Sequence, residues 1–139
     1  MNWLAYATLS AGFAGLVAVL GKIGVRGVDN TLATTVRAAV MFGALLVLAL
    51  VRGNLTGVKE IEGRGLLYIA LSGLAGAASW LCYFRALQLG DALRVAPIDR
   101  LSGAVTLVLA AVLLHERAPV SAWLGTGMML LGAVIVARS

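Results

Sequence analysis

Long uninterrupted apolar runs separated by short polar breaks set the pattern of this chain. Five runs stand out: Trp3–Gly21, Thr31–Val51, Leu66–Leu89, Val95–Leu114 and Val120–Ala137. The breaks read KIGVRGVDN at 22–30, RGNLTGVKEIEGRG at 52–65, GDALR at 90–94 and HERAP at 115–119. Apolar residues run on without alternating, which predicts helices rather than barrel strands. A hydrocarbon core about 30 Å thick needs roughly 20 helical residues per crossing, and each run approaches that length. The fourth is the shortest, with a clean stretch of only 14 residues, Leu101–Leu114. Opened at Pro97, whose missing N–H costs nothing in a first turn, it would cover about 27 Å. The pattern therefore predicts an all-α membrane protein, a bundle of five transmembrane helices at about 3–21, 31–51, 66–89, 95–114 and 120–137, forming one domain over residues 1–139.

An odd number of crossings puts the termini on opposite faces. The N-terminal face, face A, also receives the 52–65 and 115–119 breaks. Trp3, Tyr68 and Trp123 all fall at the face A ends of spans, where an interfacial aromatic belt belongs. The first span is not preceded by a positive residue and exceeds a usual signal-peptide core, so it reads as a retained helix.

Composition agrees with the pattern: 61% of residues are hydrophobic and 12% charged, with a mean hydropathy of +0.99. A soluble domain carries about 25% charged residues, so the apolar excess faces lipid. The net charge of +5 comes from basic residues dispersed between spans; they suit anchoring to anionic lipid and not nucleic acid. The single cysteine, Cys82, has no partner for an internal disulfide and reads as a small buried hydrophobe. His115 sits beside Glu116 and Arg117 in a polar break, as a loop or helix-end residue; no cluster suggests a metal. The Asn54-Leu55-Thr56 triplet matches a glycosylation pattern that is common by chance, and carries no weight. No phosphate loop, nucleophile elbow, HExxH or GxGxxG motif occurs, so nothing points to an enzyme or a cofactor.

Orientation follows the Lys and Arg of short loops. Face A has Arg52, Lys59, Arg64 and Arg117; face B has Lys22, Arg26, Arg94 and Arg138, four against four. An unbiased chain inserts in both orientations and can pair with an inverted copy of itself. Arg37, Arg85 and Arg100 lie within spans nearer face B; counted there, they favour a single orientation with face B cytoplasmic. Both readings stay open.

Each charge within a span costs about 2.5–3.5 kcal/mol at a helix centre, which makes Arg37, Arg85, Asp99 and Arg100 functional candidates. Arg85 is four residues from Leu89 and can snorkel to the interface. Arg37 lies deeper, about 9 Å from Thr31 along the axis, and reads as facing a cavity. Asp99 is either a first-turn carboxylate favoured by the helix dipole or a titratable group that couples proton movement to transport. Trp80, Tyr83, Phe84 and Leu87 share a helix face, as helix packing or as the apolar wall of a substrate cavity. The small pairs Ser72/Gly76, Gly73/Ala77, Ser121/Gly125 and Ala133/Ala137 predict close helix packing, with the fifth span as the preferred dimer contact.

The order of features over residues 83–139 resembles the C-terminal part of an EamA domain of the drug/metabolite transporter superfamily. The resembling parts are Ala86-Leu87 before Gly90, the Ala96-Pro97 start, the His115-Glu116-Arg117 break, Trp123–Gly125 and Gly132; Arg37 matches the arginine usual early in the second span. There are departures. A small residue, often Gly, usually stands where His115 is, and Asp99-Arg100 is more charged than usual. The small multidrug exporters of the superfamily carry an essential glutamate in their first helix; Trp3–Gly21 has no acidic residue, which argues against cationic drug export by that mechanism. The resemblance implies half of a ten-helix secondary transporter in the cell (inner) membrane, multi-pass and completed by a homodimer, antiparallel by preference. The expectation is alternating-access transport of small metabolites, anionic or amphipathic. Arg37, Trp80, Tyr83 and Phe84 would contact substrate, Asp99 would couple protons, and membrane lipid would surround the whole. The alternatives are a lipid-linked flippase subunit and a non-transport subunit stabilising a larger complex.

Overall fold

The computed structural model describes residues 2–55, 57 and 61–139; Lys59 of the face A count and Thr56 of the glycosylation triplet lie outside them. Among the described residues all regular structure is helical. The helices are α1 (Trp3–Gly24), α2 (Asn30–Val51), α3 (Gly63–Leu89), α4 (Ala92–Asp99), α5 (Ser102–Leu113) and α6 (Val120–Arg138). They make five segments long and apolar enough to cross a bilayer, α4 and α5 together forming the fourth, Ala92–Leu113. The expected all-α, five-span architecture is therefore present. The chain divides into two compact units, one of Met1–Lys22 and Ala86–Ser139, the other of Ile23–Arg85.

Helix ends lie up to three residues beyond the apolar runs, because backbone and caps decide them and not hydropathy. Asp29 caps α2, its carboxylate accepting from the Leu32 N–H at 2.9 Å, so α2 opens at Asn30 rather than Thr31. Gly27 permits the turn before it at φ +71°, a left-handed conformation that costs other residues more. α1 carries Lys22 into its last turn, and α3 takes in Arg64 at its start.

The fourth span departs most from expectation. Instead of one helix over 95–114 opened by Pro97, the chain enters α4 at Ala92, and Pro97 is its sixth residue. The break falls at Arg100 and Leu101. There the Leu101 N–H bonds to Ile98 O at 3.0 Å and the Gly103 N–H to Arg100 O at 3.1 Å, tight three-residue turns in place of the α-helical ladder. Pro97 and Gly103 bracket this point, the two residue types that weaken helices most. Asp99 consequently ends α4, and the favourable first-turn dipole expected for its carboxylate is lost.

His115 has φ +54°, the left-handed region, in a non-glycine residue. It follows α5, where Ala110 O accepts from both Leu114 and Glu116 N–H groups, at 3.1 and 3.2 Å. Glycine is the residue that tolerates this conformation, which gives a physical reason for a small residue at this place.

Within its unit, α6 packs against α4 and α5. Ala133 is buried and Ala137 half-buried on that side, whereas Ser121, Gly125, Met128 and Gly132 are exposed. The two small pairs of the last span thus lie on different faces, and Ala133 is covered within this chain. Gly73, Gly76 and Gly125 have open space where a Cβ would stand, so these glycines do not bring neighbouring helices of this chain together. Cys82 is exposed rather than buried, which corrects that expectation. Trp3 and Tyr68 are 79% and 70% exposed, as interfacial anchors require.

Candidate functional site

Lipid offers no hydrogen bonds, so each polar side chain within a span needs an internal partner or a functional reason. Four threonine hydroxyls are satisfied within their own helix: Thr8, Thr34, Thr35 and Thr106 donate to the carbonyl four residues earlier. Two side chains of α2, Asn30 and Arg37, reach across to α3 instead. Asn30, Thr34 and Arg37 stand at i, i+4 and i+7 and share one face. Thr34 is buried, its hydroxyl donating to Asn30 O at 2.8 Å. The Asn30 amide donates to Leu81 O of α3 at 3.0 Å. Arg37 lies with its guanidinium carbon 3.3 Å above the centroid of the Trp80 ring and 5.9 Å from that of Phe84.

The ring cluster is organised for that cation. Trp80 meets Tyr83 and Phe84 edge-on, with centroids 5.4 and 5.6 Å apart and interplanar angles of 86° and 84°. Such pairs contribute about 0.5–1.5 kcal/mol each beyond area burial, and they fix the indole so that its face is presented to Arg37. Tyr83 and Phe84 are buried, while Trp80 and Arg37 are partly accessible. A desolvated cation–π contact contributes about 2 kcal/mol. That offsets part, not all, of the cost of a cation about 10 Å along α2 from its first residue. No carboxylate neutralises Arg37 among the described residues, and its N–H groups stay available to an acceptor.

The four residues expected to contact substrate, Arg37, Trp80, Tyr83 and Phe84, are thus brought together in one compact unit. Asp99 belongs to the other unit and makes none of these contacts. Leu87, the remaining member of the α3 stripe, is fully buried and serves packing.

Sequence reasoning passed over Asn30, Thr34 and Lys22. Hydropathy places Asn30 in the first polar break; with α2 starting one residue earlier, at Asn30, its spacing to Thr34 and Arg37 makes the polar stripe. Lys22 donates to Leu87 O and Gly90 O, both at 2.6 Å. It thereby closes the carbonyl end of α3, where a cation also complements the helix dipole. No sequence signal distinguished it from the other interfacial lysines and arginines. Gly90 fits the turn closely: a Cβ there would come 3.3 Å from Val95 Cγ2. Among the described residues no group of three or more His, Cys, Asp or Glu is placed to hold a metal ion.

The sequence matches the model of the EamA-like transporter family over residues 1–138. It is 42% identical over 136 residues to a protein of Sinorhizobium sp named "Uncharacterized transporter in cobO 3'region", covering 98% of this chain and 96% of that protein. No solved structure matches.

Proposed function

This chain belongs to the EamA-like transporter family, and from that premise we propose that it is a secondary transporter of small metabolites in the cell (inner) membrane. Its five apolar spans make it a multi-pass membrane protein, and family and relative alike point to transport rather than enzymatic catalysis. The finer reading rests on one observation: Arg37 sits within an apolar span, held on the Trp80 face without a counter-ion among the described residues. A cation so placed attracts a substrate carboxylate or phosphate, while Trp80, Tyr83 and Phe84 wall the apolar part of the solute. Asp99 at the broken span is the proposed proton-exchanging group.

Transport by alternating access requires two five-helix units around one pathway, here supplied by a homodimer. The relative is matched over nearly its whole length by this one unit. The outward stripe of α6, with Ser121, Gly125, Met128 and Gly132, is open for a second copy, and balanced loop charges allow that copy to be inverted. Reconstitution into proteoliposomes tests the reading: uptake of radiolabelled organic anions is expected for the native protein and lost in Arg37→Ala. Transport and binding unchanged in that variant would remove Arg37 from the mechanism.

A further inference from the structure

We infer that Asn30 and Arg37 form a two-point receptor, which takes a small anion that also carries an N–H or O–H donor close to its charge. The inference rests on the anion-binding reading of Arg37 given above and adds a second requirement to it. Asn30 Oδ1 is sealed within the protein and, among the described residues, accepts no hydrogen bond. Its identity as the oxygen is fixed by the other end of the amide, since only the NH2 group can donate to Leu81 O. A buried acceptor left unmatched is destabilising, and a native structure keeps one where something else completes it. The same α2 face carries Arg37, whose unfilled need is the opposite one, for an acceptor.

Both groups meet α3 at adjacent residues. Asn30 reaches Leu81 and Arg37 reaches Trp80, neighbouring residues on one turn of α3. Thr34 lies between them on α2 but is already committed to Asn30 O, so it neither supplies the donor for Oδ1 nor competes for the anion. A plain carboxylate would satisfy Arg37 and leave Asn30 Oδ1 as it is. A 2-amino acid, a 2-hydroxy acid or an ethanolamine phosphate satisfies both. The Asn30–Leu81 bond shuts the acceptor away in this conformation, so a solute reaches it when α2 and α3 part locally, and the bound donor then replaces what the opening costs.

The probes are leucine, 2-hydroxy-4-methylpentanoate and 4-methylpentanoate, matched in the apolar part and differing in the donor. Trp80 reports binding by fluorescence in a Trp3→Phe/Trp123→Phe protein held in phosphatidylcholine nanodiscs, whose headgroup has no N–H donor. The two donor-bearing probes are expected to bind about fivefold tighter than 4-methylpentanoate, the ratio for one net hydrogen bond. Asn30→Ala brings that ratio to about one while carboxylates still bind; Asn30→Asp, which keeps an acceptor, preserves the preference for leucine. Equal binding of all three probes to the native residue, or a preference that survives Asn30→Ala, overturns the inference and leaves the Arg37 reading intact. Failure of every carboxylate to bind overturns both. Introducing phosphatidylethanolamine separates the sources: displacement of the probes assigns the receptor to a lipid headgroup, and unchanged binding assigns it to a free solute.

Discussion

Replacing Arg37 with leucine separates a residue kept for folding from one kept for function. An arginine at mid-span costs about 3 kcal/mol and a leucine gains about 0.5. The Trp80 face at 3.3 Å returns about 2 kcal/mol to the arginine. The balance favours leucine by about 1.5 kcal/mol at full depth, and by less here because Arg37 is only partly covered and lies toward one end of α2. Arg37→Leu is therefore expected to be neutral to about 1.5 kcal/mol more stable in reversible unfolding in bicelles, while anion transport falls to background. A double-mutant cycle with Trp80→Leu isolates the contact itself, with an expected coupling of about 1–2 kcal/mol. The Tyr83 and Phe84 edge contacts are lost equally in both backgrounds and cancel from the cycle. A destabilisation of 2 kcal/mol or more in the single variant, taken as about the worth of the ring contact, would refute the reasoning: Arg37 would then be a structural strut. Coupling near zero would refute the geometry.

Four further outcomes are expected. Removing the cation in Lys22→Met takes away both bonds to Leu87 O and Gly90 O and lowers stability in the same assay by about 2–3 kcal/mol; little change would mean the α3 end finds other donors. His115→Gly relieves the φ of +54° and adds about 1 kcal/mol, whereas His115→Val subtracts at least as much. In a Cys82→Ser background, Met128→Cys on the exposed stripe of α6 forms disulfide-linked dimers in membranes, and Ala133→Cys on the buried side does not; the reverse result would place the homodimer elsewhere. Cysteine accessibility at tagged termini in native membranes shows two equal orientations if the dimer is inverted, and one if it is parallel.

Much of this fold was legible because a span writes a signal of about 20 residues, far stronger than any local preference. The five segments and the odd crossing number follow from that alone. So did four of the cluster's residues: an arginine within apolar sequence is rare enough to be noticed, and Trp80, Tyr83 and Phe84 stand at helical spacing. What stayed hidden turns on single hydrogen bonds. Asp29 capping α2 shifts its start by one residue, and that shift separates a loop asparagine from the first member of a polar stripe. Lys22 was placed at its interface by charge, but its two carbonyl partners are 65 and 68 residues away, beyond any local pattern.

The fourth span shows why hydropathy and backbone answer different questions. Apolar content over Ala92–Leu113 suffices to cross a bilayer, and Pro97 reads equally well as a helix opener or a helix weakener, since both follow from its missing N–H. What decides between them is whether a cap exists upstream. Asp91 holds an extended conformation, and the Arg94 and Val95 N–H groups both bond to its carbonyl, at 3.0 and 2.9 Å. The helix is therefore started five residues before Pro97 could start it, and the weakness is moved inward to Arg100–Leu101. The backbone stays hydrogen-bonded through the break, by the tight turns at Leu101 and Gly103 and by the Ala104 and Val105 N–H groups on Leu101 O, so the span is interrupted without leaving its polar groups to lipid. Asp99 and Arg100 stand at that break. Two charged residues thus coincide with the interruption of the helix, which hydropathy averaged over the whole span does not register.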